Sequence, residues 1–222
     1  MEVQQFENLQ YVIRYPRGFD QSKQYPVILE LHGAGTRSCP ISEIVSGLFF
    51  KTIERYDDFP FVCVAPHCVE NTWFDIWEQL KKLVCHITSQ PNVDRDRVYI
   101  MGASMGGYAT WQLAMSMPEY FAAIVPICGG GMYWNAGRLK DTPVWAFHGA
   151  QDTTVLPEES KKMVDSVNAA GGCAKLTLYP ENGHDAWSDT YANAEVFSWL
   201  LTHKNKHLRE LTDQYTNPKE FG

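Results

Sequence analysis

One stretch of the sequence constrains the fold of this chain more than any other. Residues 98–101 form a short apolar run that predicts a buried strand, and residues 108–117 are rich in Ala, Leu, Met and Gln, which favours a helix. Between them lies Gly102-Ala103-Ser104-Met105-Gly106, a G-x-S-x-G pattern. A sharp strand-to-helix turn needs glycines two residues either side of the serine, because side chains there would collide with neighbouring backbone. The pattern therefore predicts a serine hydroxyl presented at the start of a helix, although a Gly/Ser turn without chemistry is the simpler alternative.

Predicted strands and helices alternate along the rest of the chain. The strand at residues 27–31 is an apolar run interrupted only by Glu30, and an earlier run at residues 9–15 alternates apolar and polar residues, as in an antiparallel edge strand. Three more strands and four more helices are predicted, the strands at residues 61–65, 122–127 and 176–179 and the helices at residues 42–53, 75–87, 157–170 and 190–203. Another strand at residues 143–147 completes the set. We expect an α/β fold with a mostly parallel central sheet and helices on both faces.

Length and spacing predict a single domain over residues 1–222, with a polar C-terminal tail at about 204–222. The interval between residues 131 and 143 is too short to hold a lid domain. Since parallel strands present ligands at their carboxyl ends, functional residues are expected just after the predicted strands.

Charge and cysteine content narrow the choice of partners and compartment. The net charge of −7 argues against nucleic acid or an anionic membrane as partner, and no apolar window is long enough to span a bilayer. The first residues carry neither a basic segment nor an apolar core of a secretory signal. Six cysteines without a CxxC pair are expected to be reduced thiols, so we expect a cytoplasmic protein.

A serine hydroxyl becomes a useful nucleophile when a histidine takes its proton and an acid orients that histidine. Asp152 and His184 each follow a predicted strand, and they come after Ser104 in the chain order typical of this kind of fold. Asp152 could instead cap a following turn. The other candidate acids lie before a strand, in a helix, or beyond the histidine: Asp141, Asp165, Asp185 and Asp189. We therefore expect Ser104, Asp152 and His184 to form a catalytic triad.

A second glycine-containing loop, His32-Gly33-Ala34-Gly35, follows the strand at residues 27–31. Backbone N–H groups of such a loop and of the residue after the nucleophile can bind a developing oxyanion. This assigns the N–H groups of Ala34 and Met105 to an oxyanion hole, unless the loop is an ordinary glycine-rich turn.

Several histidines and aromatic residues lie on loops at the same edge of the predicted sheet. We expect a substrate-binding surface that includes His32, His67, Trp73, Trp134 and Trp187. Aromatic residues often serve packing alone, so the assignment competes with a structural role. The histidines lack metal-ligand spacing and companion carboxylates, and neither a metal nor an organic cofactor is expected.

These motifs together resemble the α/β-hydrolase superfamily. The resemblance covers residues 25–201 and rests on the serine turn, the His32-Gly33 loop, His148-Gly149-Ala150-Gln151-Asp152 and Gly183-His184. The segment Thr72-Trp73-Phe74-Asp75-Ile76 is similar to one in the phospholipase/carboxylesterase branch, which includes acyl-protein thioesterases. The pattern is also close to compact esterases related to prolyl oligopeptidase, feruloyl esterases among them.

The resemblance implies a serine hydrolase that cleaves small carboxylic esters through an acyl-enzyme. We expect short acyl or aryl esters, including hydroxycinnamoyl or acetyl esters of carbohydrate, to be better substrates than long-chain lipids. A small serine peptidase or amidase and an acyl-thioesterase or lysophospholipase are the enzymatic alternatives. A ligand-binding protein on a hydrolase scaffold is the alternative from another class, but such a protein would normally have lost a triad residue.

Overall fold

The computed structural model describes residues 1–205, and a single eight-stranded sheet runs through them. The strands are β1 (Glu2–Phe6), β2 (Leu9–Arg14), β3 (Tyr25–Leu31), β4 (Val62–Pro66), β5 (Val93–Ala103), β6 (Ala123–Ile127), β7 (Val144–Gly149) and β8 (Ala174–Tyr179). Their spatial order is β1-β2-β4-β3-β5-β6-β7-β8. The first two strands join antiparallel, and all pairings from β4 to β8 are parallel. The expected α/β class and mostly parallel sheet are confirmed.

Helices cover both faces of the sheet. They are α1 (Ser42–Val45), α2 (Leu48–Ile53), α3 (Trp77–Thr88), α4 (Met105–Ser116), α5 (Pro157–Ala169), α6 (Trp187–Ala192) and α7 (Ala194–Leu201). One hydrophobic cluster joins the sheet to α3, α4 and α5, and a second joins the other face to α1, α2, α6 and α7. Because both faces are buried, most of the parallel strands read as continuous apolar runs in the sequence.

The structure corrects three details of the predicted elements. The strand at residues 9–14 is antiparallel as expected, but it is not the edge strand, because β1 pairs outside it. The predicted helix at 42–53 is two helices that meet at Gly47. The predicted helix at 190–203 is also divided, since Asn193 accepts a hydrogen bond from the N–H of Glu195 and caps α7. Most of the predicted tail, from residue 206, lies outside the described residues.

The segment expected to be too short for a lid domain holds a 3₁₀ helix, Tyr133–Leu139. None of the helices within residues 1–205 combines the length and apolarity needed to cross a bilayer. The centre of the sheet is β5, whose carboxyl end leads directly into Ser104 and α4.

Candidate active site

Ser104 lies in a strained turn between β5 and α4. Its backbone has φ 56° and ψ −116°, and residues other than glycine rarely adopt a positive φ. The Ser104 N–H donates to the carbonyl oxygen of Ile127 at 2.9 Å, which fixes the turn to β6. A Cβ at Gly106 would overlap the Leu31 carbonyl, and one at Gly102 would lie 2.6 Å from the Gly106 carbonyl oxygen. Glycines at both positions let three backbone segments meet beneath the serine.

Three side chains form one hydrogen-bonded chain at the carboxyl ends of β5, β7 and β8. His184 Nε2 lies 2.8 Å from Ser104 Oγ, and His184 Nδ1 lies 2.7 Å from Asp152 Oδ2. Because a carboxylate only accepts hydrogen bonds, Nδ1 carries the proton and Nε2 accepts from the serine hydroxyl. This is the arrangement in which a histidine can remove the serine proton.

Asp152 is buried, but the pKa of its carboxyl group favours the ionised form. Burial would raise the pKa of its carboxyl group, but hydrogen bonds from His184 and from the backbone N–H groups of Val155 and Thr154 outweigh burial and lower the pKa. The two N–H groups donate to Oδ1 at 3.0 and 2.8 Å, which leaves Oδ2 for the histidine. His148 stands on the other side of Oδ2, with Nε2 at 3.3 Å, and its ring is held by Ser160 and the Val155 carbonyl.

The loops that carry the acid and the histidine are in backbone contact. A Cβ at Gly149 would overlap the carbonyl oxygens of Gly183 and Asn182. The N–H of Gln151 donates to the Asn182 carbonyl oxygen at 3.0 Å. The distance between Asp152 and His184 is therefore set by backbone packing between two loops.

Two N–H groups near the serine have no acceptor among residues 1–205. Met105 is the first residue of α4, and Ala34 is the first residue of a 3₁₀ turn, Ala34–Thr36. A Cβ on Gly33 would lie 3.5 Å from Ser104 Cβ, so the loop at residues 32–35, called the Ala34 loop below, faces the serine. Both groups are thus available to a negatively charged oxygen.

The Ala34 loop is held in place by neighbouring side chains. His32 Nε2 accepts a hydrogen bond from the Cys68 N–H at 3.0 Å, and its Nδ1 donates to the Gly33 carbonyl oxygen at 2.8 Å. Burial, assisted by the nearby His67, lowers the pKa of His32 to about 4 although the Gly33 hydrogen bond opposes this change. The Arg37 guanidinium donates hydrogen bonds to the carbonyl oxygens of Ala34 and Asn71 and so connects the two loops.

A cavity of about 460 Å³ opens beside Ser104 and His184. Its walls are mainly apolar and come from α1, α2, α6 and the Ala34 loop, and they include Ile44, Leu48, Phe49, Phe50, Ala103 and Trp187. Polar side chains also line the cavity, among them the buried Glu30 and Tyr191 and the exposed Glu43 and Thr154. The size is that of a small-molecule site.

The residues predicted to bind substrate fall into different environments. His32 and Trp187 line the cavity, and the Trp187 ring meets His184 edge-on at 5.4 Å between centroids. Trp73 is completely buried and donates its indole N–H to the His32 carbonyl oxygen, so it supports the loop without reaching the cavity. His67 is buried against the His32 ring and does not line the cavity. Trp134 is 72% exposed, contacts Tyr133, and lies outside the cavity.

Ligand atoms of Cys128, Asp152 and His184 lie within 4.8 Å of one another, which is close enough for a metal ion. The internal contacts account for this cluster, because the Cys128 thiol donates to the His184 carbonyl oxygen and burial raises the pKa of the thiol to about 12. A protonated thiol is a poor metal ligand. The donor set therefore suits hydrogen bonding better than metal binding.

Sequence reasoning did not find three residues that shape the site. Glu30 and Tyr191 are 161 positions apart, and Arg37 reaches a loop 34 positions away. Only Glu30 left a signal, since it is the single charged residue in an apolar strand.

Known proteins share this architecture. A solved structure of a thermostable esterase is 28% identical with a TM-score of 0.77, and the match covers 91% of this chain and 63% of that one. Dipeptidyl-peptidase 5 of Porphyromonas gingivalis is 23% identical over 82% of this chain, and a probable feruloyl esterase C of Aspergillus terreus is 22% identical over 77%. The matched parts are 33% of the peptidase and 65% of the esterase, so the chain corresponds to part of each.

A match to a protein-family model gives the family of the chain. The model of the dienelactone hydrolase family matches residues 64–202, which hold Ser104, Asp152 and His184 and all strands from β5 to β8. Together with the α/β-hydrolase architecture, this match shows that the chain belongs to the dienelactone hydrolase family.

Proposed function

We propose that this protein is a serine hydrolase that cleaves small carboxylic esters. The observation that carries the proposal is the hydrogen-bonded chain from Ser104 through His184 to Asp152, which lies beside a largely apolar cavity. The relatives named as esterases support the same conclusion.

In the first half of the reaction, Ser104 Oγ attacks the ester carbonyl carbon while His184 Nε2 takes the hydroxyl proton. The resulting imidazolium donates through Nδ1 to the Asp152 carboxylate, whose lowered pKa keeps it ionised. The carbonyl oxygen becomes an oxyanion, and the free N–H groups of Ala34 and Met105 stabilise it. The tetrahedral intermediate then breaks its bond to the alcohol oxygen, which leaves with the proton from Nε2.

In the second half, water repeats the sequence on the acyl-enzyme. His184 Nε2 takes a proton from the attacking water and returns it to Ser104 Oγ as the carboxylic acid departs. The residues present balance every proton transfer, and no step needs a cofactor.

The acyl group is proposed to occupy the cavity lined by Phe49, Phe50 and Trp187. Flat or short acyl groups fit such a cavity better than a long flexible chain, and the feruloyl esterase relative agrees with an aryl acyl group. A small serine peptidase is the second candidate, because one relative is a dipeptidyl-peptidase. All six cysteines, which lie within residues 1–205, are free thiols, and this supports a proposed location in the reducing cytoplasm.

Replacing the proposed nucleophile tests the function. Ser104→Ala should lower kcat by about 10⁴-fold or more on phenyl acetate, because no other group can form the acyl-enzyme. A fluorophosphonate should label wild type at Ser104, as read by peptide mass spectrometry. Ser116→Ala, at the opposite end of α4, is the matched control and should keep wild-type turnover.

The same assay separates the candidate functions. Wild type should show a higher kcat/KM for acetyl, butyryl and feruloyl esters than for a palmitoyl ester or a proline-containing peptide. Wild-type turnover in Ser104→Ala would refute the mechanism, and a preference for the peptide would favour the second candidate.

A further inference from the structure

The cavity beside Ser104 contains a buried carboxyl group that the proposed mechanism does not use. Glu30 lies in β3 on the face that α1, α2 and α6 cover, and only 6% of the residue is exposed. It lines the same cavity as Ser104 and His184. A carboxyl group is expensive to bury, so its presence at the wall of a substrate cavity needs an explanation.

Glu30 is only half satisfied by the protein. The Tyr191 hydroxyl donates to Oε1 at 2.8 Å, and it is the only hydrogen bond to this side chain among residues 1–205. Oε2 therefore has no partner in the described chain, although it belongs to a cavity-lining residue. Burial raises the pKa of Glu30 to about 7, while the Tyr191 hydrogen bond opposes that rise. Oε2 is therefore free to accept a hydrogen bond from a group that enters the cavity.

Strand register gives the depth of Glu30 below the nucleophile. Glu30 pairs with Met101 of β5, and Ser104 comes three residues later. At about 3.3 Å per residue, the backbone of Glu30 lies roughly 10 Å from that of Ser104 along the strand direction. A flat aromatic acyl group can span that depth, whereas an acetyl group cannot.

The apolar walls of the cavity favour an uncharged acyl group. Phe49, Phe50, Ile44 and Ala103 line the cavity, and they offer an ionic group no solvation. A hydroxyl group loses far less hydration free energy than an ammonium group on entering such a cavity. The donor that suits Glu30 is therefore a neutral hydroxyl at the far end of the acyl group.

We propose that Glu30, oriented by Tyr191, accepts a hydrogen bond from a hydroxyl group at the far end of an aryl acyl group, and so selects hydroxyaryl esters over esters that lack the hydroxyl. This specificity role rests on the proposed ester hydrolysis at Ser104. It assigns the buried end of the cavity to the acyl half of the substrate and leaves the alcohol half outside.

The test compares methyl 3-phenylpropenoates that differ only at the 4-position of the ring: hydroxy, unsubstituted, methoxy and aminomethyl. Wild type should show kcat/KM at least about tenfold higher for the hydroxy ester than for the unsubstituted and methoxy esters. Glu30→Leu should reduce that ratio to near one. Glu30→Gln keeps the shape and the acceptor for Tyr191 but turns an amide NH₂ towards the substrate, so it should lose the preference for hydroxy over methoxy.

Glu43→Gln is the matched control, because Glu43 is an exposed glutamate of the same cavity, and this variant should keep the wild-type ratio. Thermal unfolding of each variant identifies any that does not fold. If Glu30→Leu does not fold, the result for Glu30→Gln decides the test. Equal ratios in wild type and both Glu30 variants would overturn the proposal, as would a preference for the aminomethyl ester, which would indicate a cation site. Phenyl acetate separates the two hypotheses. If the protein hydrolyses phenyl acetate but does not discriminate among the aryl esters, only the role of Glu30 is refuted. If the protein hydrolyses none of these esters, the proposed function is refuted.

Discussion

At the scale of single residues, Asp152 divides its two oxygens between different tasks. Oδ1 accepts the N–H groups of Thr154 and Val155, which hold the side chain still, and Oδ2 faces His184 and His148. The backbone therefore fixes the carboxylate without competing for the oxygen that orients the histidine.

Asp152→Asn should keep the two backbone hydrogen bonds and still lower kcat on phenyl acetate by about 10⁴-fold, because an amide favours the wrong histidine tautomer and cannot stabilise the imidazolium. Asp185→Asn is the control, since Asp185 is exposed and adjacent to His184 in sequence. We expect the control to lose less than about threefold. Similar losses in the two variants would show that Asp152 is not the orienting acid.

The site residues differ in how far sequence reasoning can reach them. Ser104, Asp152 and His184 carry local motifs and a known chain order, so their meeting at one sheet edge was predictable. Their catalytic roles remain predictions. The contact of Tyr191 with Glu30 depends on how α6 packs against β3, and Trp73 is buried where a surface position was expected, because its ring fills the space under His32. Neither outcome follows from local sequence.

At the scale of elements, the packing of the two loops after β7 and β8 sets the geometry of the site. Gly149 ends β7, and its hydrogen atom faces the carbonyl oxygens of Gly183 and Asn182. The loops approach so closely that only glycine fits at this position.

Gly149→Ala should separate the loops, lower kcat by at least about tenfold and destabilise the fold by roughly 1–3 kcal/mol, because the added methyl group has no room. The matched control is Gly183→Ala on the opposite loop, where an added Cβ meets nothing within 4 Å and φ is not positive. Urea unfolding and phenyl acetate turnover measure the two effects. If both variants behave alike, loop packing does not determine the geometry.

Element boundaries were less predictable than element types. The helix predicted at 42–53 stops at Val45 and restarts at Leu48, and the helix predicted at 190–203 is broken by the cap at Asn193. Apolar periodicity continues through both breaks, so hydrophobic pattern alone cannot show them. The strand β1 was missed because its residues are mostly exposed and polar, which leaves little apolar signal.

At the scale of the whole molecule, two buried groups act on stability in opposite directions. The folded state raises the pKa of Glu30 from 4.5 to about 7, so the folded form binds more protons in that range and stability falls as pH rises. The folded state lowers the pKa of His32 from 6.5 to about 4, so the unfolded form binds more protons and stability rises with pH. Between pH 4.5 and 6.5 the two contributions oppose each other.

Glu30→Gln should remove the contribution of Glu30 to the pH dependence of stability and leave that of His32. Relative to wild type, its free energy of unfolding should increase by on the order of 3 kcal/mol between pH 5 and pH 8, because the variant has no carboxyl group to ionise. Urea unfolding across that range measures the difference, with Glu43→Gln as the control glutamate. Parallel stability curves for wild type and Glu30→Gln would show that Glu30 ionises as easily folded as unfolded.

The position of β8 at the end of the sheet affects how the protein can lose activity. His184 follows β8, whereas Ser104 follows the central β5. One member of the proposed triad therefore depends on a strand that, within residues 1–205, has a neighbour on only one side. Edge elements open locally at lower free energy than the centre of a sheet, and such opening exposes their amides to hydrogen exchange. Detachment of β8 would withdraw the histidine while β1 to β7 stayed paired. Loss of the proposed activity would then precede global unfolding, and a local fluctuation at the sheet edge would limit how long the protein stays active.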